Sequence, residues 1–421
     1  MGRKYHVEYI ITTWHRLAFS ESVIFREILL VAKKTKPQSD AITKVCVLKK
    51  LPDKISKARE IAERIKGIKK DYEDNDVVVK IHPYSKLTAD TTDWHTFVSL
   101  SDLKLVDSLE EVLASKKLTP LSTLTSARRS DLEHFTFREF HGFILSSAER
   151  ARRESDAWIA DRIKGKTLVA RHKERIHEVA VPLSNLARAL RRFSYTNTID
   201  VDKTLDYLIV NWFKEIEEMA RSVVPANALR KFDSSVVQSW KKKFEERKAH
   251  LLLGRRLYLS APGTSLIAFY SDEPAAGIDL WGFLDLNKTD AKILSLWLNS
   301  SFNILQLLYM GVACEGPWMK LHDYMMDRLL VPDPNKLTEA EKKRILDVFE
   351  KVKDTPFPSI IEQLKTKFHA RKTIDSMWLK VLGYKDFSNE MLDKLYDSLL
   401  KELEIIGKLM GGKQSKEDEE T

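Results

Sequence analysis

Over the first eighty residues the apolar positions come in short runs separated by polar turns. Tyr5 to Thr13 is one β-rich run, Ile24 to Ala32 a second, and Ile42 to Leu51 a third that alternates around Val45 and Val47, so three strands are predicted. After the turn at Pro52-Asp53 the spacing changes. Ile55, Ala58, Ile61, Ala62 and Ile65 recur at three and four residues, which predicts an amphipathic helix within Lys54 to Lys70, and Val77 to Ile81 then supplies another short strand. Strands and a helix at this spacing build an open, layered α/β sheet.

The next stretch, Ser101 to Pro120, is helix-prone and mixed in charge, and the small polar residues from Ser122 to Ser130 mark a boundary. Basic stretches from Ser146 to Lys164 and from Leu183 to Arg192 read as helices, followed by a helix from Thr204 to Arg221. The pattern then turns to β. Leu257 to Ser260 and Ser265 to Tyr270, joined at Ala261-Pro262-Gly263, predict a hairpin, with Leu280 to Leu286 beyond it. Thr289-Asp290 opens a helix that continues through Ile293, Trp297 and Leu308. Its apolar stretch, Ile293 to Met310, is interrupted by Ser295, Asn299, Ser300, Ser301, Asn303 and Gln306, so it reads as a buried helix and not a membrane span. Beyond Pro332-Asp333-Pro334 the pattern is helical. Thr338 followed by Glu341 is a capping box opening a helix to about Val352, and further helices are predicted over Asp375 to Val381 and Asn389 to Leu409. Lys413 to Thr421 carries only polar and charged residues and is expected to fray, and no internal repeat is present.

Composition narrows this picture. A chain of 421 residues that is 43% hydrophobic can bury the cores of two or three domains, and 14 glycines with 13 prolines are too few for a low-complexity or turn-dense all-β chain. Only Cys46 and Cys314 are available for sulfur chemistry, which excludes a disulfide framework or a cysteine-rich zinc module and points to a cytoplasmic protein. The basic amino terminus lacks the apolar run of a secretory signal, and no membrane association is expected.

Charge adds the first functional indication. Lys and Arg number 70 against 61 Asp and Glu, a net charge of +9, and the excess is concentrated. Between Arg150 and Arg192 twelve basic residues face five acids, a local field that attracts polyanions. Arg150, Arg152, Arg153, Lys164, Lys166, Arg171, Lys173, Arg175, Arg191 and Arg192 are the candidate DNA contacts of this segment. A second run adds Lys241, Lys242, Lys243, Arg255 and Arg256. Trp318, in Gly316-Pro317-Trp318, lies either in a DNA-facing turn or in a tight loop closing on the core. Arg191-Arg192-Phe193-Ser194-Tyr195 mixes cations with aromatics as nucleic-acid surfaces do. His172 and His177, or His134 and His141, lack the spacing of a zinc site, so no metal is expected, and no G-x-S-x-G elbow occurs. Gly-rich nucleotide loops are absent too.

Two segments carry a family resemblance. Tyr5-His6-Val7-Glu8-Tyr9-Ile10-Ile11 followed by Leu17-Ala18-Phe19-Ser20-Glu21-Ser22 and Arg26-Glu27-Ile28-Leu29-Leu30-Val31-Ala32-Lys33-Lys34 resembles the gamma-class N6-adenine DNA methyltransferases, in the part that follows their Asn-Pro-Pro-Tyr loop. Val45 to Pro52 resembles the next strand of that sheet, and Asp93-Trp94 lies where such proteins leave the catalytic domain. Leu296 to Ser301, Gly311 to Lys320 and Leu330 to Pro334 are similar to the closing part of the target-recognition domain, and Arg371 to Gly383 to the helical stretch after it. The likeness is strong over 5–52 and 294–385 and weak across the basic middle. It implies that Phe19 stacks on the flipped target adenine, where an aromatic face replaces the stacking lost from the duplex. It also implies a partial methyltransferase sheet over 1–100 belonging to a Rossmann-like domain. A mixed α+β, mainly helical target-recognition domain over 101–334, a helical region over 335–412 and a charged tail over 413–421 complete the expected α/β organisation.

The chain departs from that family in one respect that governs mechanism. It contains no Pro-Pro dipeptide, so the loop that holds the adenine amino group is missing, and so is the methyl-donor pocket. The expectation is the DNA-binding half of a split methyltransferase that does not methylate alone. No catalytic residue lies in this chain, and S-adenosylmethionine is bound by a separate catalytic chain. Two alternatives stay open: a stand-alone DNA-binding remnant, and a helical protein-interaction module whose basic segment meets an acidic partner.

Overall fold

The computed structural model of the chain describes residues 5–13, 27–36, 38, 40–88, 103–130, 144–148, 157–191, 193–194, 196–222, 229–230, 232–310, 318–384 and 388–410. The first unit is a five-stranded sheet. Its strands are β1 (His6–Thr13), β2 (Leu29–Lys33), β3 (Ile42–Leu48), β4 (Tyr72–Glu73) and β5 (Val77–Pro83), in the order β2-β1-β3-β5-β4. β1 and β3 run parallel with Ile10 opposite Val45, and the remaining pairs are antiparallel. Because strand side chains alternate, β3 feeds two cores. Val45 joins Val7, Ile10, Tyr84 and Leu87 on one face, whereas Cys46 and Leu48 join Val77 and Val79 on the other. There the helix Ile55–Gly67 lays down Ile61 and Ile65, two of the positions that the sequence spacing marks.

Lys44 ties that helix to the sheet. It is buried, and its Nζ donates to the Ile65 and Lys66 carbonyls at 2.9 and 2.8 Å, so a cation satisfies acceptors that a helix end leaves open.

The middle of the chain overturns part of the sequence reading. Among the described residues, 101–334 holds fourteen strands, so the expected mainly helical recognition domain is instead a sheet structure with helices around it. The strands are β6 (Leu118–Pro120), β7 (Ala127–Ser130), β8 (Ile144–Leu145), β9 (Trp158–Lys164), β10 (Thr167–His172), β11 (Glu178–Pro182), β12 (Leu186–Leu190), β13 (Asp206–Ile209), β14 (Ala249–Gly254), β15 (Arg256–Leu257), β16 (Ala268–Gly277), β17 (Leu280–Phe283), β18 (Met319–Lys320) and β19 (Leu330–Pro332). Seven of them form one sheet in the order β7-β17-β14-β16-β12-β13-β8, and β9, β10 and β11 form a separate antiparallel sheet.

Basic residues at frequent intervals imitated a charged helix face, but β9 and β12 bury adjacent pairs, Trp158 with Ile159 and Ala189 with Leu190, and not positions three and four apart. In β11 Val179 and Val181 point inward while Glu178 and Ala180 face out. The stretch from Thr204 to Arg221 yields strand β13 and only one short helix, Ile216–Arg221.

The predicted hairpin does not form either. β16 pairs with β14 on one side and β12 on the other, and β15 pairs with β18, so the segment between β15 and β16 is a loop fastened to the C-terminal region. Ile360 N donates to Thr264 O at 2.9 Å, and Gln363 Nε2 to Ser265 O at 2.7 Å.

The apolar stretch around Trp297 is buried as expected but forms two helices, Lys288–Leu298 and Ser301–Met310. All six polar residues that interrupt it are buried, and each finds a partner. Gln306 acts as a strand would, accepting from Leu330 N at 2.8 Å and donating to Leu330 O at 3.0 Å. The C-terminal region is helical: Glu339–Val352 opens with the Thr338–Glu341 capping box, then follow Ile360–Lys365, His369–Leu382 and Asn389–Met410. No helix among the described residues is long and apolar enough to cross a membrane.

Candidate nucleic-acid interface

The β9-β10-β11 sheet carries its cations at its turns. Lys164 and Lys166 flank Gly165, whose φ of 61° reverses the chain between β9 and β10, and both lysines are exposed. Lys173 and Arg175 are exposed in the opposite turn, between β10 and β11. Along the strands the charge is offset internally. Arg162 is held by Asp161 and by Glu178 at 2.8 Å, and Arg171 lies 3.6 Å from Asp161.

His172 and His177, the histidines of this region, serve packing. Their rings meet the Trp158 ring edge-on at centroid distances of 5.2 and 5.5 Å, and the indole Nε1 donates to Ser222 Oγ at 2.7 Å. Burial lowers the His172 pKa from its ordinary value. Among the described residues no group of three or more His, Cys, Asp or Glu is placed to hold a metal.

The second basic run is divided. Lys241 and Lys242 are exposed on the helix Ser234–Glu245, with Lys243 half-buried beside them, while Val237, Trp240 and Phe244 anchor the opposite side. Lys241 Nζ donates to Asn211 Oδ1 at 3.0 Å, a neutral partner that leaves its charge uncompensated. Arg255 is buried and ion-paired to Asp279, so it belongs to the interior and not to an open phosphate-binding surface. Arg191 is also buried, 4% exposed, with its backbone N–H on Asp206 Oδ2 at 2.9 Å. Phe19, Arg150, Arg152, Arg153 and Arg192 lie outside the described residues.

Arg256 and Trp318, far apart in sequence, meet on the β15-β18 ladder. Arg256 is directly opposite Lys320, and Leu257 opposite Met319. Leu257 and Met319 are buried, which turns Arg256 and Lys320 to the outer face. One step along, the Tyr258 and Trp318 rings meet edge-on at a centroid distance of 5.9 Å, with 44% of Trp318 exposed. Past Lys320, His322 and Tyr324, the latter in the helix Asp323–Arg328, stack their rings at 5.6 Å and 11°. Tyr258, Lys320, His322 and Tyr324 were missed by sequence reasoning. The signal was the alternation from Trp318 to His322, in which Met319 and Leu321 point inward between outward aromatic and basic residues.

Solved structures are similar to this chain, among them the type IIG restriction endonuclease BpuSI, at 13% identity and a TM-score of 0.49, over 97% of this chain and 44% of that one. The chain thus spans less than half the length of that protein. No protein-family profile and no curated protein matches the sequence.

Proposed function

We propose that this chain is the DNA-binding, target-recognition subunit of a split, site-specific N6-adenine DNA methyltransferase of a restriction-modification or related defence system. In this reading S-adenosylmethionine and the Asn-Pro-Pro-Tyr loop reside on a separate catalytic chain. Phe19 stacks on the extruded adenine, as the family resemblance implies. Lys164, Lys166, Lys173 and Arg175, together with Lys241 and Lys242, neutralise phosphates, and that term dominates affinity and makes it salt-dependent.

The observation that carries the split is the edge of the N-terminal sheet. β2 is its outermost strand, and Ile28, Leu29, Leu30 and Val31 are each 39–44% exposed, on both faces of the strand. An apolar edge of this kind templates pairing with another chain and is normally blunted by charge or proline. Here the charged residue of the strand, Lys33, is paired with Glu8 of its neighbour β1. A catalytic half that completes the sheet would cover this edge.

The test is co-expression of the chain with a methylase half carrying the Asn-Pro-Pro-Tyr loop, followed by duplex-DNA titration across a salt series. The expected outcome is salt-dependent binding by the chain alone, with sequence preference and methyl transfer gained only with the partner. Absence of DNA binding in both preparations would reject the reading. Methyl transfer by the isolated chain would reject the split.

A further inference from the structure

The outer face of the β15-β18 ladder has a composition that packing does not explain. Two cations, Arg256 and Lys320, stand directly opposite one another, an arrangement that is unfavourable for like charges. Arg256 is partly compensated by Asp279, 3.7 Å from its Nε, but Asp279 is already engaged by Arg255. Lys320 makes no ion pair among the described residues. Beside this pair stand Trp318, 44% exposed, and half-buried Tyr258, their rings meeting edge-on at 60°. Neighbouring outward positions on a strand are two residues, roughly 6.6 Å, apart, so the aromatic and cationic pairs act on adjacent parts of one ligand.

Cations next to an exposed aromatic ring are the elements with which proteins hold single nucleic-acid strands: the phosphate meets the charge and the base stacks on the ring. A paired duplex presents only base edges, because both faces of each base are covered by its neighbours. We propose that this ladder holds an unpaired nucleotide of the bound DNA, its base against Trp318 and Tyr258 and its phosphate against Lys320 and Arg256. The assignment rests on the DNA-binding function proposed above. It concerns a second unstacked position, distinct from the adenine assigned to Phe19.

The experiment uses the full chain and three oligonucleotides: a fully paired duplex, the same duplex with one bulged 2-aminopurine, and the single strand carrying that base. Stacking on an aromatic predicts about tenfold tighter binding of the bulged duplex than of the paired one, with quenching of 2-aminopurine fluorescence. Trp318→Ala should abolish the quenching and the preference for the bulged duplex. Trp318→Phe, which keeps a stacking face, should retain part of both, and Lys320→Ala should lower the salt slope for the bulged duplex by about one. Binding of the paired duplex with no preference for the bulge overturns this inference and leaves the DNA-binding reading intact. So does quenching that survives Trp318→Ala. Failure to bind any of the three oligonucleotides overturns both.

Discussion

Asn299 shows how a single polar side chain can organise a core. It sits between the helices Lys288–Leu298 and Ser301–Met310, where its Oδ1 accepts from Ile267 N at 2.9 Å and Ala268 N at 3.1 Å. Its Nδ2 donates to Ala268 O at 2.8 Å and to Ser295 O at 3.0 Å, so the helix break is stitched to the start of β16. Its own carbonyl accepts from buried Arg371, which also reaches Gln363 and Ser301. Asp375 completes the network, accepting from Ser301 N at 2.9 Å and from Tyr396 Oη at 2.6 Å. Burial pushes the Asp375 carboxyl up, against the pull of Arg371 and these donors. Asn299→Ala strands two buried donors and an acceptor and opens a cavity, so it should cost about 3 kcal/mol, read as a lower urea midpoint with unchanged slope. His82 exposes a second residue-scale property. Burial, aided by nearby Lys86 and Lys80, lowers its imidazole from 6.5 to about 4. Between those values the unfolded chain binds a proton that the folded sheet excludes. This contribution to stability is therefore complete above pH 6.5 and is lost as pH falls toward 4, by about 2 kcal/mol at pH 5. Urea midpoints at pH 7.5 and pH 5 should show that difference, and His82→Gln should shrink it.

Among elements, the Lys164-Gly165-Lys166 turn is the most exposed to sequence change. Gly165 has a φ of 61°, and a Cβ placed there would meet nothing within 4 Å, so the only penalty of a side chain is conformational. Gly165→Ala should lower stability by about 1 kcal/mol, and Gly165→Asn by less, because asparagine tolerates the left-handed region. Equal midpoints for the two variants would mean that the turn relaxes to another form. That turn also shows where the sequence was legible. The helix Ile55–Gly67 and the capped helix Glu339–Val352 follow from local spacing, since each buries one apolar stripe, Ile61 and Ile65 in the first and Ile345, Phe349 and Val352 in the second. The middle was misread because β9 and β12 combine dense basic residues with burial that does not alternate: β9 buries only Trp158 and Ile159, and β12 only Ala189 and Leu190, so no two-residue period marks either as a strand. β14 was missed too: Leu251, Leu252 and Leu253 are all buried, so no alternation marks the strand. At the candidate interface, Arg256 and Trp318 were visible as residues, but their meeting depends on the β15-β18 pairing, which no local pattern encodes.

For the whole molecule, a net charge of +9 is less informative than where the charge remains uncompensated. Arg162, Arg171 and Arg255 are offset by Asp161, Glu178 and Asp279, and they stiffen the fold without adding much external field. Lys164, Lys166, Arg175, Lys241 and Lys242 are exposed, and none is within ion-pair distance of a carboxylate among the described residues. If these five and Lys173 neutralise phosphates, the logarithm of the duplex affinity should fall against the logarithm of salt with a slope of about −5.4. The double substitution Lys164→Gln with Lys166→Gln should then reduce the slope by about two while leaving the urea midpoint unchanged, because both side chains project from a turn into solvent. Arg255→Met supplies the opposite control. It removes one positive charge from the same net total, yet it should leave the slope unchanged and lower stability, since Asp279 would lose the partner that holds it between β16 and β17. Equal slope changes from the two variants would mean that DNA senses the overall charge of the chain and not the turns of the β9-β10-β11 sheet.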